Sequence, residues 1–185
     1  MNLEKMFEMQ KALDERIIKE KGLEGQDLLP NLILALQVEL AECANEWRGF
    51  KHWSNDREPR ICVIDKKGQT AKEYYKNPLL EEYVDCLHFI LSIGNRLGWN
   101  DTDTIDDVVV QHLISEKGFD TAKTFSCLLS IAYGFHFSNV EKRTYISLFT
   151  TFFELGNKLG FKWEQIEAAY MEKNAVNHQR QQEGY

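Results

Sequence analysis

Two glutamates lie one helical turn apart in a strongly apolar part of the chain. Glu39 and Glu42 stand in LILALQVELAECA, residues 32–44, and a spacing of three positions puts both carboxylates on the same side of a helix. A helix that is apolar on most of its surface is expected to be buried, where an ionised carboxylate without a partner is very costly. The pattern therefore predicts a compensating group close to this pair.

A second acidic pair follows in another apolar segment. Glu82 and Asp85 have the same spacing in EEYVDCLHFIL, residues 81–91. If the two helices pack with these faces opposed, four carboxylates converge, and their mutual repulsion requires a cation to hold them together. Ligation by oxygen alone suits Mg²⁺, with Mn²⁺ as a substitute, rather than Zn²⁺. Glu39, Glu42, Glu82 and Asp85 are therefore the predicted metal ligands.

Each acidic pair also has a simpler interpretation. Glu46 continues the line of the first pair, which is also typical of a polar strip in contact with water. The second pair continues through three polar side chains on one helical face, which an ordinary exposed surface would explain. Those side chains are His88, Ser92 and Asn95, with His88 hydrogen-bonded to Asp85 in this interpretation.

The last helical segment carries a stripe that changes from apolar to polar. Its members step by four, three, four and three positions: Ile166, Tyr170, Lys173, Asn177 and Arg180. Lys173 and Arg180 are suited to binding anionic oxygens, while Asn177 offers a donor and an acceptor. A metal site beside such cations is what phosphoanhydride chemistry requires. A frayed, solvated C-terminal helix would show the same pattern.

Three aromatic residues lie just after the first acidic pair. Trp47, Phe50 and Trp53 are typical of core packing, but one of them is also suited to stacking on a flat base. Lys51 lies among them, near enough to contact phosphate. Lys51 and Trp53 are therefore candidate substrate-binding residues.

Helical periodicity dominates the chain and is interrupted by glycine and proline. Strand signals are weak, because the segment 62–64 is too short to build a sheet. One long polar segment, residues 54–77, is predicted to be a mobile loop beside the metal site. The predicted helices cover about 3–20, 30–48, 78–97, 103–116, 120–137, 141–159 and 162–182.

The predicted fold class is all-α, an antiparallel helical bundle with a four-helix metal-binding core. Residues 1–185 are expected to form one domain, with the C-terminal helix closing the site. The segments 125–137 and 145–153 are aromatic on more than one face. Because one small bundle buries only part of such a surface, the sequence predicts a homodimer.

Composition excludes several classes of function. The net charge is −7, from 29 acidic and 22 basic residues, which argues against a nucleic-acid partner or an anionic membrane surface. The chain shows neither a signal peptide nor an apolar run of membrane-spanning length. Its cysteines show no CxxC spacing, and three of the four fall in apolar helical runs, as expected of reduced thiols. These features predict a cytoplasmic protein.

Taken together, the motifs resemble those of the dimeric, all-α dUTPases, within the MazG-like group of nucleoside triphosphate pyrophosphatases. The two acidic pairs match the ExxE and ExxD pattern of that group. Three further segments are similar to dUTPase motifs and extend the resemblance from end to end. They are MQKALD at 9–14 for an LQxxLN-like motif, KHW at 51–53 for KxW, and KNAVNHQRQQEGY at 173–185 for KNxxNxxRQxxGY.

The resemblance implies an enzyme that hydrolyses dUTP, and also dUDP, by attack of a metal-activated water on the α-phosphorus. The products from dUTP are dUMP and pyrophosphate. The four acids then bind Mg²⁺, and Glu39 or Glu42 acts on the water. The resemblance also implies that Gln10 and Asn177 bind uracil and that Trp53 lines the pocket for the base or sugar of the deoxynucleotide. Lys173, Arg180 and Tyr185 are implied to close over the nucleotide.

One position departs from the family pattern. Asp14 stands where the family tends to have asparagine, and an ionised carboxylate only accepts hydrogen bonds. An acceptor suits the N3–H of uracil but not its carbonyl oxygens, so a related pyrophosphatase for dCTP or for damaged nucleotides is an alternative. A non-catalytic helical interaction module is an alternative from another class.

Overall fold

Helices form almost all of the regular structure, so the predicted all-α class is confirmed. The computed structural model describes residues 2–68, 70, 74–102, 105, 120–137 and 140–184. Within these residues there are six helices and one short pair of strands. The helices are α1 (Leu3–Glu20), α2 (Leu29–Trp47), α3 (Pro78–Leu97), α4 (Thr121–Gly134), α5 (Lys142–Lys158) and α6 (Trp163–Gln182).

Local signals explain where the helices that carry the site begin and end. The side chain of Asn2 accepts a hydrogen bond from the backbone N–H of Lys5 at the start of α1. At the start of α3, the side chain of Asn77 accepts from the backbone N–H of Leu80. Both are N-cap contacts. Proline in the first turn opens α2 and α3. Gly98 ends α3 with a positive φ of 68°, a conformation that glycine adopts without strain.

The segment between α2 and α3 contains a small ribbon that the sequence did not predict. β1 (Val63–Ile64) pairs antiparallel with β2 (Tyr75–Lys76), so the expectation that 62–64 forms no sheet was wrong. An ion pair of 2.8 Å between Lys76 and Asp65 flanks the ladder. Mobility of the segment 54–77 stays a prediction. The helix predicted at 103–116 lies almost wholly outside the described residues.

The start of this segment is attached to the helices that hold the acids. Arg48, which follows α2, is buried and pairs with Asp56 at 2.9 Å. Further along, Arg60 forms backbone hydrogen bonds with Glu46 on α2 and with Leu79 on α3. These contacts connect the exit of α2 to the entry of α3.

The central helix of the bundle is α3. It contacts α1, α2, α5 and α6, and its contact with α2 is the most extensive between any two described elements. Two tyrosine hydroxyls donate hydrogen bonds to backbone carbonyls in this core, Tyr83 to Phe152 at 3.0 Å and Tyr145 to Ile90 at 2.9 Å. The position of α3 is therefore determined by polar contacts as well as by apolar packing.

The core of a single chain buries the aromatic residues of α5. Phe149 and Phe152 are fully buried, and Phe153 is nearly so. One chain therefore buries these phenylalanines without a partner, and the homodimer stays a prediction. On the preceding segment, Tyr133 and Phe137 remain exposed, at 56% and 59%, with their ring centroids 5.3 Å apart. No helix within the described residues combines the length and apolarity needed to cross a membrane.

One glycine on α3 is required by this packing. A Cβ atom built on Gly94 would lie 2.2 Å from the hydroxyl of Tyr145 and 3.0 Å from the ring of Phe7. We expect Gly94→Ala to lower the free energy of unfolding by about 1–3 kcal/mol, because the tyrosine must move and its hydrogen bond to Ile90 weakens. Urea denaturation followed by circular dichroism measures the change.

Gly134→Ala is the matched control. Gly134 ends α4 and has no atom within 4 Å of the added Cβ, so the same substitution should be neutral or stabilise by up to about 1 kcal/mol through helix propensity. Equal effects of the two substitutions would contradict the proposed close contact at Gly94.

Candidate active site

Three of the predicted metal ligands come together between α2 and α3. Carboxylate oxygens of Glu39, Glu42 and Glu82 all lie within 4.8 Å of one another. Glu39 and Glu42 are adjacent because α2 places them one turn apart, and the extensive contact with α3 brings Glu82 to the same place. The group offers only oxygen ligands, which fits a hard divalent cation such as Mg²⁺ or Mn²⁺.

The pKa values of these acids indicate that the nearby charge of Lys173 compensates the cluster only in part. Burial raises the pKa of Glu82 to about 7, and the charges of Asp85, Glu39 and Glu42 add to the rise. Burial also raises the pKa of Glu39, and Asp85 and Glu42 act in the same direction. Partly buried carboxylates that repel one another favour protonation unless a cation stabilises their ionised form. A divalent ion would supply that stabilisation.

Asp85 is engaged by a cation from another helix. Its Oδ2 accepts a hydrogen bond of 2.5 Å from Nζ of Lys173 on α6. Among the described residues, the group of mutually close ligand atoms contains the three glutamates but not Asp85. Burial raises the pKa of Asp85, while the hydrogen bond from Lys173 and its charge oppose that rise.

Gln10 forms the centre of a second, largely uncharged cluster where α1, α3 and α6 meet. Its Nε2 donates to Asp14 at 2.9 Å and to Ser92 at 3.0 Å. Its Oε1 lies 2.6 Å from Nδ1 of His88 and 3.1 Å from the hydroxyl of Tyr170, whose single proton is shared with the carbonyl of Met6 at 3.0 Å. Because an amide has two donors and two acceptor positions, every hydrogen-bonding position of Gln10 faces a group of the protein.

This network fixes the protonation of His88. The Gln10 oxygen only accepts hydrogen bonds, so Nδ1 of His88 must carry the proton. Burial, aided by the charge of Lys173, lowers the pKa of His88 to about 3, which keeps the ring neutral. Its Nε2 is then an acceptor, and it has no hydrogen-bond partner among the described residues. The alternative interpretation, in which His88 lies on an exposed face and bonds to Asp85, was wrong, because the ring is buried and faces Gln10.

A pocket of about 510 Å³ opens beside this network. Four of the predicted substrate-binding residues line it, two from α1 and two from α6. They are Gln10, Asp14, Asn177 and Arg180. His88, Phe89 and Ser92 contribute from α3, and Leu28 and Leu32 add apolar surface. The pocket thus combines apolar walls with a few polar groups, as small-molecule sites generally do.

The pocket and the acid cluster are joined along two helices. On α3, Asp85, His88 and Ser92 follow one another by about one turn each, or about 5 Å per step. On α6, Lys173 at the acid cluster is followed by Asn177 and Arg180 at the pocket. An elongated ligand with a flat polar end and an anionic end fits this arrangement.

Three of the predicted residues that the structure describes are absent from the pocket lining, and one of them, Lys173, lies at the acid cluster instead. Nζ of Lys51 hydrogen-bonds to the side chain of Asn45 and lies 5.7 Å from the ring centroid of Phe50. The indole of Trp53 is 68% exposed and contacts the rings of Phe50 and His52. Tyr185 lies outside the described residues.

Comparison with known proteins decides the family. A family model described as dUTPase matches residues 2–185. The chain belongs to the dUTPase family. The comparison with curated proteins found no match. Membership gives the reaction, which is the hydrolysis of dUTP by a dUTP diphosphatase, and the all-α fold agrees with the all-α dUTPases that the motifs indicated. The ligand of this dUTPase is therefore a nucleotide with a flat base and an anionic phosphate chain.

Sequence reasoning did not identify the role of the residues that surround Gln10. His88 and Ser92 were assigned to a face that is also typical of an exposed surface, but they are 5% and 3% exposed. Tyr170, which stacks on His88 at 4.4 Å, was read as the apolar part of its stripe. The sequence did contain a signal, because the polar residues His88, Ser92 and Asn95 lie among apolar residues on α3. Polar side chains in such a setting are expected to have buried hydrogen-bond partners.

Asp14 gives a testable pH dependence of stability. Burial raises its pKa to about 6, although hydrogen bonds from Ser92 and Gln10 oppose the rise. Between pH 6 and the ordinary value near 4, the folded state binds a proton that the unfolded state does not, so falling pH stabilises the native protein. Wild type should therefore gain stability relative to Asp14→Asn as the pH falls from 6 to 4, by up to about 1.4 kcal/mol per pH unit.

Urea denaturation in the presence of a chelator measures this difference. Glu8→Gln, at an exposed position on α1, is the matched control and should show a difference that barely changes over the same range. A constant difference for Asp14→Asn would contradict the buried position of this carboxyl.

Proposed function

We propose that this protein hydrolyses dUTP to dUMP and pyrophosphate with Mg²⁺ held by Glu39, Glu42, Glu82 and Asp85. The observation that carries the proposal is the convergence of three glutamate carboxylates within 4.8 Å beside a base-sized pocket. dUTPases are generally metal-dependent, and Mn²⁺ is expected to substitute because it accepts the same oxygen ligands. The chemistry that such an ion supplies is neutralisation of phosphate charge and acidification of a water molecule.

The acids on α2 are placed to act on the nucleophile. Glu39 or Glu42 orients the attacking water and accepts its proton while the α-phosphorus is attacked. Attack at this phosphorus releases pyrophosphate from dUTP, and it also allows dUDP to react. The partial burial of Glu39 supports this assignment, because a carboxylate in a less polar setting is a stronger base.

Uracil binds in the pocket between α1, α3 and α6. His88 Nε2 accepts from the N3–H of the base, and the amide of Asn177 donates to a carbonyl oxygen. This assignment is supported by the buried, unpartnered acceptor on His88 and by the place of Asn177 in the lining. Gln10 acts on the base indirectly, by orienting His88, because its own hydrogen-bonding positions all face groups of the protein. Asp14 holds the donor end of Gln10 in place.

The remaining substrate contacts involve parts of the chain that flank the pocket. Lys173 and Arg180 bind phosphate oxygens, and Tyr185 closes over the nucleotide as the end of α6 settles on the site. Lys51 and Trp53 take part when the segment after α2 approaches the nucleotide, which agrees with a mobile loop at 54–77. A closing movement of this kind would exclude water from the phosphates.

We also propose that the protein is a homodimer. The exposed pair of Tyr133 and Phe137 supports this, because aromatic side chains on a surface are typical of interfaces. Sedimentation equilibrium measures the mass in solution, and a monomer at all concentrations would contradict the proposal.

Neutralising one acid tests the metal site. Glu82→Gln keeps nearly the same shape but removes a ligand charge, so kcat for dUTP with Mg²⁺ should fall by about 100-fold or more while the fold survives. A pyrophosphate-release assay measures the rate. Chelation of divalent ions should abolish the wild-type activity, and Mg²⁺ should restore it.

Glu81→Gln is the matched control for this substitution. Glu81 precedes Glu82 on α3 but is exposed, so its variant should retain activity within about twofold because its charge contributes only to the helix N-terminus. Near-normal turnover by Glu82→Gln, or an equal loss in both variants, would contradict the proposed metal site.

Removing an amide tests the uracil pocket. Asn177→Ala should raise KM for dUTP by about tenfold or more, because a hydrogen bond to the base is lost, and should change kcat less. Gln179→Ala is the control, since Gln179 lies on the same helix and bonds to Glu183 instead of lining the pocket. Rates with dCTP and dTTP complete the measurement. An unchanged KM, or wild-type rates that are equal for all three nucleotides, would contradict uracil recognition here.

A further inference from the structure

Lys173 bonds to one of the acids that the proposed metal site requires. We propose that Lys173 is an internal counter-ion, which pairs with Asp85 in the metal-free protein and transfers to the phosphate chain when the metal binds. This inference rests on the proposed function and adds an order to it. The same ammonium would serve first the protein and then the substrate.

The position of Asp85 supports this assignment. The three glutamates have ligand atoms close to one another, whereas Asp85 is paired with Lys173 at 2.5 Å and is not part of that group. Both side chains of the pair are mostly buried, at 25% and 19% exposed. Water therefore screens the pair only partly, and its electrostatic attraction is stronger than that of a surface ion pair.

The ion pair between Lys173 and Asp85 and the metal-bound site are expected to exclude each other, because both place positive charge among the same carboxylates. Lys173 also interacts electrostatically with Glu39 and Glu82, so its ammonium already occupies the field that a divalent ion would enter. A second cation among the same carboxylates is repelled by the first. Entry of the metal is therefore expected to weaken the contact between Lys173 and Asp85, which frees the carboxylate as a fourth ligand.

The structure provides a destination for the displaced ammonium. Asn177 and Arg180 continue the same face of α6 towards the pocket, and the charge of Arg180 also acts on Asp85. Phosphates that extend from the pocket to the acids would pass Lys173. Its long, flexible side chain can exchange partners by rotation about its own bonds. No movement of the helix is needed.

The exchange predicts cooperative binding of metal and nucleotide. Metal alone must separate an ion pair, so its affinity for the free protein is reduced. When a nucleotide is present, the ammonium gains a phosphate partner, and the same separation costs less. Each ligand therefore raises the affinity of the other, as linkage requires.

Titration of Mn²⁺ into metal-free Lys173→Met, followed by isothermal titration calorimetry, tests the inference. The variant keeps the length of the side chain but removes its charge, so it should bind Mn²⁺ alone at least about fivefold more tightly than wild type. With a non-hydrolysable imido analogue of dUTP present, the enhancement of Mn²⁺ affinity should be smaller in Lys173→Met than in wild type.

Two control variants separate this effect from a general change in charge. Lys5→Met removes one positive charge from an exposed position on α1 and should bind Mn²⁺ as wild type does. Lys173→Arg retains a cation opposite Asp85 and should stay within about twofold of wild type. Circular dichroism checks that Lys173→Met is folded, and Lys173→Gln replaces it if it is not.

The outcomes distinguish this inference from the proposed function. If wild type binds Mn²⁺ and Glu82→Gln does not, but Lys173→Met binds it no more tightly than wild type, the counter-ion role is overturned and the metal site stands. If wild type itself binds no Mn²⁺, with or without the analogue, the proposed metal site fails and the counter-ion role fails with it.

Discussion

The burial of α3 is the constraint on which the rest of the structure depends. Four other helices pack against it, yet one side of it must carry two acids and an imidazole. The fold resolves this conflict for two of the three groups by giving each a partner from a different helix, while Glu82 joins the acid cluster with α2. Lys173 on α6 pairs with Asp85, and Gln10 on α1 pairs with His88. The contacts that hold these helices together are therefore also the contacts that assemble the site.

The two ends of the site use opposite electrostatic solutions. At the acid cluster, carboxylates are crowded, and burial raises the pKa of Glu82 to about 7. Beside the pocket, the amide of Gln10 and an imidazole with its pKa lowered to about 3 remain neutral. In the proposed binding mode, the polyanionic phosphates would meet carboxylates of the same sign, so divalent cations must lie between them. The neutral base would meet the uncharged amide and imidazole.

The features that could be predicted from the sequence are those that depend on residues close together in the chain. α3 was predicted at its observed bounds, because the proline that opens it and the glycine that closes it act locally. The acidic pairs were also predictable, since their spacing refers to a single helix. The ribbon of Val63–Ile64 and Tyr75–Lys76 was missed because two-residue strands have no periodicity.

Contacts between distant helices account for most of what remained unpredicted. Nothing near Gln10 in the sequence indicates that it bonds to His88, which is 78 positions away. The burial of Phe149 and Phe152 was likewise not predictable, because the covering elements are remote in sequence. Family resemblance supplied the residues that line the pocket, but it did not indicate which of them are already engaged by the protein.

The engagement of Gln10 within the protein has a consequence for how this protein can evolve. One side chain joins three helices and also sets the tautomer of His88, which lines the pocket. A substitution there that altered base preference would at the same time loosen the bundle. New specificities are therefore more accessible through Asn177 or other lining residues with fewer partners, and Gln10 is expected to drift slowly among descendants of this gene.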